Sequence, residues 1–235
     1  MAMSELGNGL QIAEHYEDAL SVREAHFSML RRLGAAAHNI LFVQSNLAST
    51  YQILGQLDQA LTLRRDVYLG YVKLSGEEHF NTLVAASNYA ESLVVRERYA
   101  EAKALWLKTI SVARRVFGES HGATLKMKSN HARALYMATG ATLDDLREAV
   151  NTLEETERIA RRVLGGAHPV TRMIAPTLRD DARAALRARV ESDVSSLREA
   201  VEAMAPRNKH TIQPVQPPGG TSPAASFLAK GNESL

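Results

Sequence analysis

The sequence predicts an all-α protein built from stacked helical hairpins, and three observations carry that prediction. Residues 76–90 read GEEHFNTLVAASNYA and residues 118–132 read GESHGATLKMKSNHA, so G-E-x-H followed by S-N-x-A is written twice, first from Gly76 and again from Gly118. Apolar residues recur at three- and four-residue intervals rather than in alternation, which is the pattern of amphipathic helices. The chain of 235 residues is 45% hydrophobic, enough to bury a substantial core.

The repeat extends beyond the two quoted stretches. Asn46, Asn88 and Asn130, and with them Ala48, Ala90 and Ala132, keep the same 42-residue step. Gly34, Gly76 and Gly118 follow it too, and Gly165 comes after a longer, 47-residue step. Ala60, Ala102 and Ala149 show the same two intervals, which places a five-residue insertion between Ala132 and Ala149. Gly140 and the capping pattern Thr142-x-x-Asp145 mark that insertion as a lengthened turn.

Each element follows from this register. Residues 1–9 read as a disordered start, and residues 10–33 as a lone second-type helix carrying Tyr16, Ala19, Leu20, Phe27 and Leu30. Val43, Leu47, Ala48, Tyr51 and Leu54 make the first helix of a full unit, ended by Gly55. Ala60, Leu61, Val67, Tyr68 and Leu74 make its second, ended by Gly76. The same pair is expected at 80–95 with 98–117, and again at 122–139 with 143–164. The small alanines belong where two helices cross closely, because a larger side chain would force the axes apart. His38, His79, His121 and His168 open successive units, and their separation of roughly 16–20 Å is too wide for one metal, so a turn role is expected.

The array ends where the pattern fails, with Thr177 at the asparagine position and Arg179 at the small-residue position. From near Pro176 the stripe Leu178, Ala182, Leu186, Val190, Val194, Leu197, Val201 and Met204 predicts one long helix that caps the final pair and could self-associate. Arg179, Arg183, Arg187 and Arg189 are expected on its solvated outer face. The helical domain thus spans 10–204. Five of the seven prolines fall in the last thirty residues, so 205–235 is expected to be a disordered tail.

The pattern GxxHxxTLxxxxNxAxxL, followed by Tyr99-x-x-Ala102, resembles the 42-residue tetratricopeptide repeats of kinesin light chains and related proteins. That resemblance covers about residues 10–180. It implies a right-handed helical solenoid whose first helices line a concave groove that accepts peptide segments. It also maps the groove-facing pair of each repeat onto Ser45 and Asn46, Ser87 and Asn88, and Ser129 and Asn130; the family often has Asn-Asn where this chain has Ser-Asn.

From the residues themselves, asparagine is a poor helix former. Its return in three units suits a contact with a peptide backbone, for which it offers both donors and acceptor. One turn either way, Phe42, Ser49, Gln52, Val84, Glu91, Lys126 and Arg133 share the same face, apolar at one end and cationic at the other. The expected partner is therefore a protein or peptide, with acidic residues favoured near Lys126 and Arg133.

Other classes find little support. Cysteine is absent and the net charge is only +2, which removes disulfides, thiolate metal sites and cysteine nucleophiles and makes nucleic acid an unfavoured partner. No phosphate-binding, dinucleotide, zinc-protease or serine-hydrolase motif occurs, so no catalytic residue, cofactor, metal or small-molecule substrate is expected. No stretch reaches the length of an apolar membrane span, and a cytoplasmic protein is the default. The rival reading is a structural or self-associating piece of a longer repeat protein.

Overall fold

The computed structural model describes residues 2–174 and 176–204. The tail beyond 204 and the side chains of Pro176, Thr177 and Leu178 lie outside the described residues. Described residues up to Val194 form one compact unit, and those from Ser195 to Met204 belong to a second. In chain order the helices are α1 (Ala2–Ile12), α2 (Tyr16–Arg32), α3 (Ala37–Ile53), α4 (Leu57–Ser75), α5 (Phe80–Val95), α6 (Tyr99–Phe117), α7 (Gly122–Met137), α8 (Leu143–Leu164), α9 (Pro169–Met173) and α10 (Pro176–Met204). From α1 to α8 each helix packs chiefly on the ones before and after it, so the first unit is a helical-hairpin solenoid.

The close crossings are where the repeat puts them. Ala19, Ala48, Ala60, Ala90, Ala102, Ala132 and Ala149 are all at most 1% exposed. Around them lie Leu93 and Trp106 in one core cluster and Leu125, Leu135 and Leu153 in another.

Three of the four repeat histidines are helix caps. The Nδ1 atoms of His79, His121 and His168 accept from the backbone N–H of Asn81, Ala123 and Val170, each at 3.2 Å. An imidazole here does what a Ser or Asp side chain does at other N-caps. Gly76, Gly118 and Gly165 close the preceding helices at φ 81°, 90° and 84° with ψ near 160–170°, a region open essentially to glycine alone. Gly34 does not share this role. The span from Ala19 to Gly34 is one residue shorter than that from Ala60 to Gly76, so Ala35 stands three residues before His38 as Gly76 stands before His79. His38 consequently falls inside α3, whose N-cap is Ala36, and its ring packs edge-on against Tyr71 at 5.9 Å.

The start of the chain corrects the expectation of disorder over 1–9. Ser4-Glu5-Leu6-Gly7 echoes Ser45-Asn46-Leu47-Ala48 at nearly the repeat spacing, and α1 is the first helix of a complete first hairpin. Gly7 takes the small-residue place, where an added Cβ would lie 3.2 Å from Arg23 Cγ. The buried Arg23 guanidinium ties α1 to α2 and α3: it donates to Asn8 Oδ1 at 2.8 Å, to the Asn46 carbonyl at 3.1 Å, and to Gln11 and Thr50. Eleven residues with two glycines make a marginal helix alone, so this tertiary anchor explains the order.

The far end also differs in detail. A short α9 occupies the next first-helix place, and the chain resumes as α10 with Pro176 at its first position, where a missing N–H costs nothing. Arg179 and Arg183 are not on a solvated outer face; they reach α8, at 3.0 Å to Glu157 and 3.0 Å to Glu154. Ala182 is fully buried in the cluster of Leu125, Ala132, Ala149 and Leu153. Arg189 pairs within its own helix with Asp193 at 3.1 Å.

Candidate functional site

The first helices α3, α5 and α7 carry equivalent residues one repeat apart, so their shared face is a set of rows. One row is Phe42, Val84 and Lys126; the next is Asn46, Asn88 and Asn130; a third is Ser49, Glu91 and Arg133. Asn46, Ser45, Ser49 and Asn88 are half-buried, and Asn130 is 8% exposed. None of the three asparagine side-chain amides is hydrogen-bonded to another described residue. The backbone carbonyls of two of them are used instead: Arg23 donates to that of Asn46 and Arg64, at 2.8 Å, to that of Asn88.

Ser87 and Ser129 do not share this face. Ser87 is 6% exposed and accepts from Trp106 Nε1 at 3.2 Å, and Ser129 is wholly buried. A residue next to the asparagine is turned by about 100° around the helix, which here points it at the second helices. Trp106 holds the place in α6 that Arg64 holds in α4, one repeat earlier, so the third pair spends an indole on a serine where the second spends a guanidinium on a carbonyl. Ser45 stays half-buried and within reach of the face.

The charges also sort differently from the simple cationic end. Arg133 reaches across to Glu91 at 2.9 Å, so its charge is compensated by the neighbouring first helix. Lys126 is exposed and makes no ion pair with another described residue. Beside it a cleft of about 320 Å³ is lined by Phe80, Val84, Asn88, Lys126, Met127 and Val170, among others. A second cleft, of about 510 Å³, opens between α1 and α3. A third, of about 640 Å³, lies between α2 and α4 over Leu47 and Tyr51; there burial and a hydrogen bond to Glu24 push the Tyr51 phenol up to about 12.

Among the described residues no group of three or more His, Asp or Glu side chains is placed to hold a metal ion. No described helix is long and apolar enough to cross a membrane.

The sequence matches the tetratricopeptide repeat family over residues 43–81 and 82–123, two units that begin shortly before Asn46 and Asn88. Those two units are similar to tetratricopeptide repeats. The chain's repeats are similar to the nearly identical TPR-like repeats of a Podosopora anserina protein named for kinesin light chain. One structure of those repeats, a single-substitution form, is 25% identical with a TM-score of 0.66, covering 86% of this chain and 92% of that one. Another is 22% identical with a TM-score of 0.65, covering 88% and 96%. BtubC (BKLC) from P. vanneervenii shares the fold at 15% identity, with a TM-score of 0.61 over 97% of this chain and 86% of that one. No curated protein matches the sequence. Tetratricopeptide arrays of this kind are interaction scaffolds, built as an extended surface rather than around a reaction centre.

Proposed function

We propose that the first-helix face binds an extended peptide segment of a partner protein, with Asn46, Asn88 and Asn130 gripping its backbone. The observation that carries this reading is the row of three amides, returning once in each repeat and unused within the described fold. A structural role for the same asparagines would call for hydrogen bonds to neighbouring helices, and at Asn46 and Asn88 those are supplied by the backbone carbonyls. Ser45 and Ser49 flank the row at the apolar end, Glu91 and Arg133 form a neutral pair along it, and exposed Lys126 favours an acidic residue of the peptide. Ser87 and Ser129 shape the face from beneath.

Replacing all three asparagines by alanine removes hydrogen bonds worth ~0.5–1.5 kcal/mol each, or roughly 2–4 kcal/mol together. Affinity for a peptide selected from a display library should fall about 30- to 1,000-fold, while the fold persists because alanine is the better helix former. Unchanged affinity with a lowered melting temperature would sink the proposal. Binding should also weaken as salt rises, through Lys126.

The rival role, self-association through the last helix, has one observation in its favour. Leu197, Val201 and Met204 are exposed at steps of four and three. Light scattering on the full chain and on one ending at residue 194 separates the two: a dimer that becomes a monomer on truncation supports self-association.

A further inference from the structure

We propose that the cleft between α1 and α3 is a socket for the side chain of an arginine or lysine in the bound segment. This rests on the reading of the first-helix face as a peptide site and extends it to a second, oppositely charged position. The cleft holds about 510 Å³, ample for one long side chain, and is walled by Glu5 of α1, His26 and Leu30 of α2, and Asn39, Phe42 and Val43 of α3.

The sign of the charge comes from Glu5. In the row of Asn46, Asn88 and Asn130 the corresponding residue of α1 is Glu5, in the echo Ser4-Glu5-Leu6-Gly7 of Ser45-Asn46-Leu47-Ala48. The first hairpin therefore puts a carboxylate where the others put an amide. Glu5 is exposed and forms no ion pair with another described residue, whereas Glu91 is taken by Arg133. A bound acidic group would be repelled here, and an apolar one would strip water from the carboxylate without compensation.

The rest of the cleft suits a cation on an aliphatic stem. Leu30 and Val43 offer apolar surface to the methylenes. Phe42 is 49% exposed, leaving its ring free for a guanidinium or ammonium group within ~6 Å. His26 forms the floor at 7% exposure, with Nδ1 3.4 Å from Ser4 Oγ. Burial lowers its pKa, so the floor stays uncharged near neutral pH and does not oppose a cation. His38 contributes too: it lies inside α3, past the capping position held by His79, His121 and His168, and its side chain borders this cleft. The matching cleft between α5 and α7 carries Lys126 instead. The two ends of the face thus ask for opposite charges, which fixes the direction in which a segment lies.

The test is selection from a displayed library of random 15-residue peptides on the full chain, on Glu5→Lys, and on the Asn46, Asn88 and Asn130 triple alanine variant, each checked for helicity. Peptides selected by the parent should carry a basic residue toward one end and an acidic residue toward the other. Glu5→Lys should lose the basic preference alone, and should bind a selected peptide roughly three- to tenfold more weakly, with affinity restored when that peptide residue is changed to Glu. Peptides that require the asparagines but show no basic preference, or keep it on Glu5→Lys, overturn the socket alone. Peptides that bind the triple variant as well as the parent overturn the peptide site and the socket with it.

Discussion

At Glu97 the backbone stands at φ 58°, and at Glu14 at φ 61°, a left-handed conformation that suits glycine. Both occupy the turn position that Gly55 fills at φ 74° in the second hairpin. The left-handed region costs a side-chain-bearing residue roughly 1–2 kcal/mol, partly offset by the entropy that glycine loses on folding. Glu97→Gly should therefore stabilise the chain by about 0.5–1 kcal/mol, read as a raised urea midpoint at constant slope. His131 lends itself to a pH experiment. It is buried edge-on to Trp106 at 6.5 Å, its Nε2 has no partner, and burial lowers its pKa despite Glu148 and Asp145 nearby. Because the folded pKa lies below the unfolded value of about 6.5, the unfolded chain takes up the proton first as pH falls. Stability is fully present above that pH and is lost on acidification, by at most about 1.4 kcal/mol per unit for one site. Tyr89 holds the corresponding place in the preceding unit, so His131→Tyr should flatten the stability profile between pH 7 and 5; a profile as steep as the parent's would assign the effect elsewhere, with His26 next in line.

Helices α3 to α8 lie within about two residues of their sequence expectations, because glycine, histidine and small-residue markers recur in one register and each names a helix end or a crossing. Helix α1 was not legible from its own periodicity, since its order depends on Arg23, a residue of the next helix. The echo of Ser45-Asn46-Leu47-Ala48 in Ser4-Glu5-Leu6-Gly7 was the available signal, one residue off the 42-residue step. On the candidate face the asparagine row was readable, but the burial of Ser87 and Ser129 was not, because a neighbour one residue away belongs to a different side of the helix. At the end of the array, deleting residues 177–235 should expose Leu135, Leu153 and Ile174, which share a cluster with Ala182, and release Glu154 and Glu157 from Arg183 and Arg179. The product should aggregate or melt markedly lower. Deleting only 206–235 should leave helical circular dichroism and melting unchanged, as the segment's proline-rich composition leads one to expect.

Stability in an array of stacked hairpins is close to a sum of unit terms and nearest-neighbour terms, so no single core holds the solenoid together from end to end. Local opening should follow from this: hydrogen exchange is expected to be fastest at α1, which has a partner on one side and depends on Arg23, and slowest in α5 to α7, around the fully buried Trp106 and Leu125. Uniform protection from α1 to α8 would contradict it. The glycine-to-histidine junction has a consequence for the number of units as well. Gly76-Glu-Glu-His79 and Gly118-Glu-Ser-His121 are interchangeable splice points, so excising residues 77–118 joins Gly76 to Glu119 and leaves a Gly-Glu-Ser-His connection of native length. The shortened chain would set α4 against α7, with Arg64 offered the carbonyl of Asn130 in place of that of Asn88. Lys126 would then face Phe42 where Val84 had been, and Glu5 and Lys126 would be drawn one unit closer, so under the proposed peptide reading array length works as a ruler for the spacing of charges.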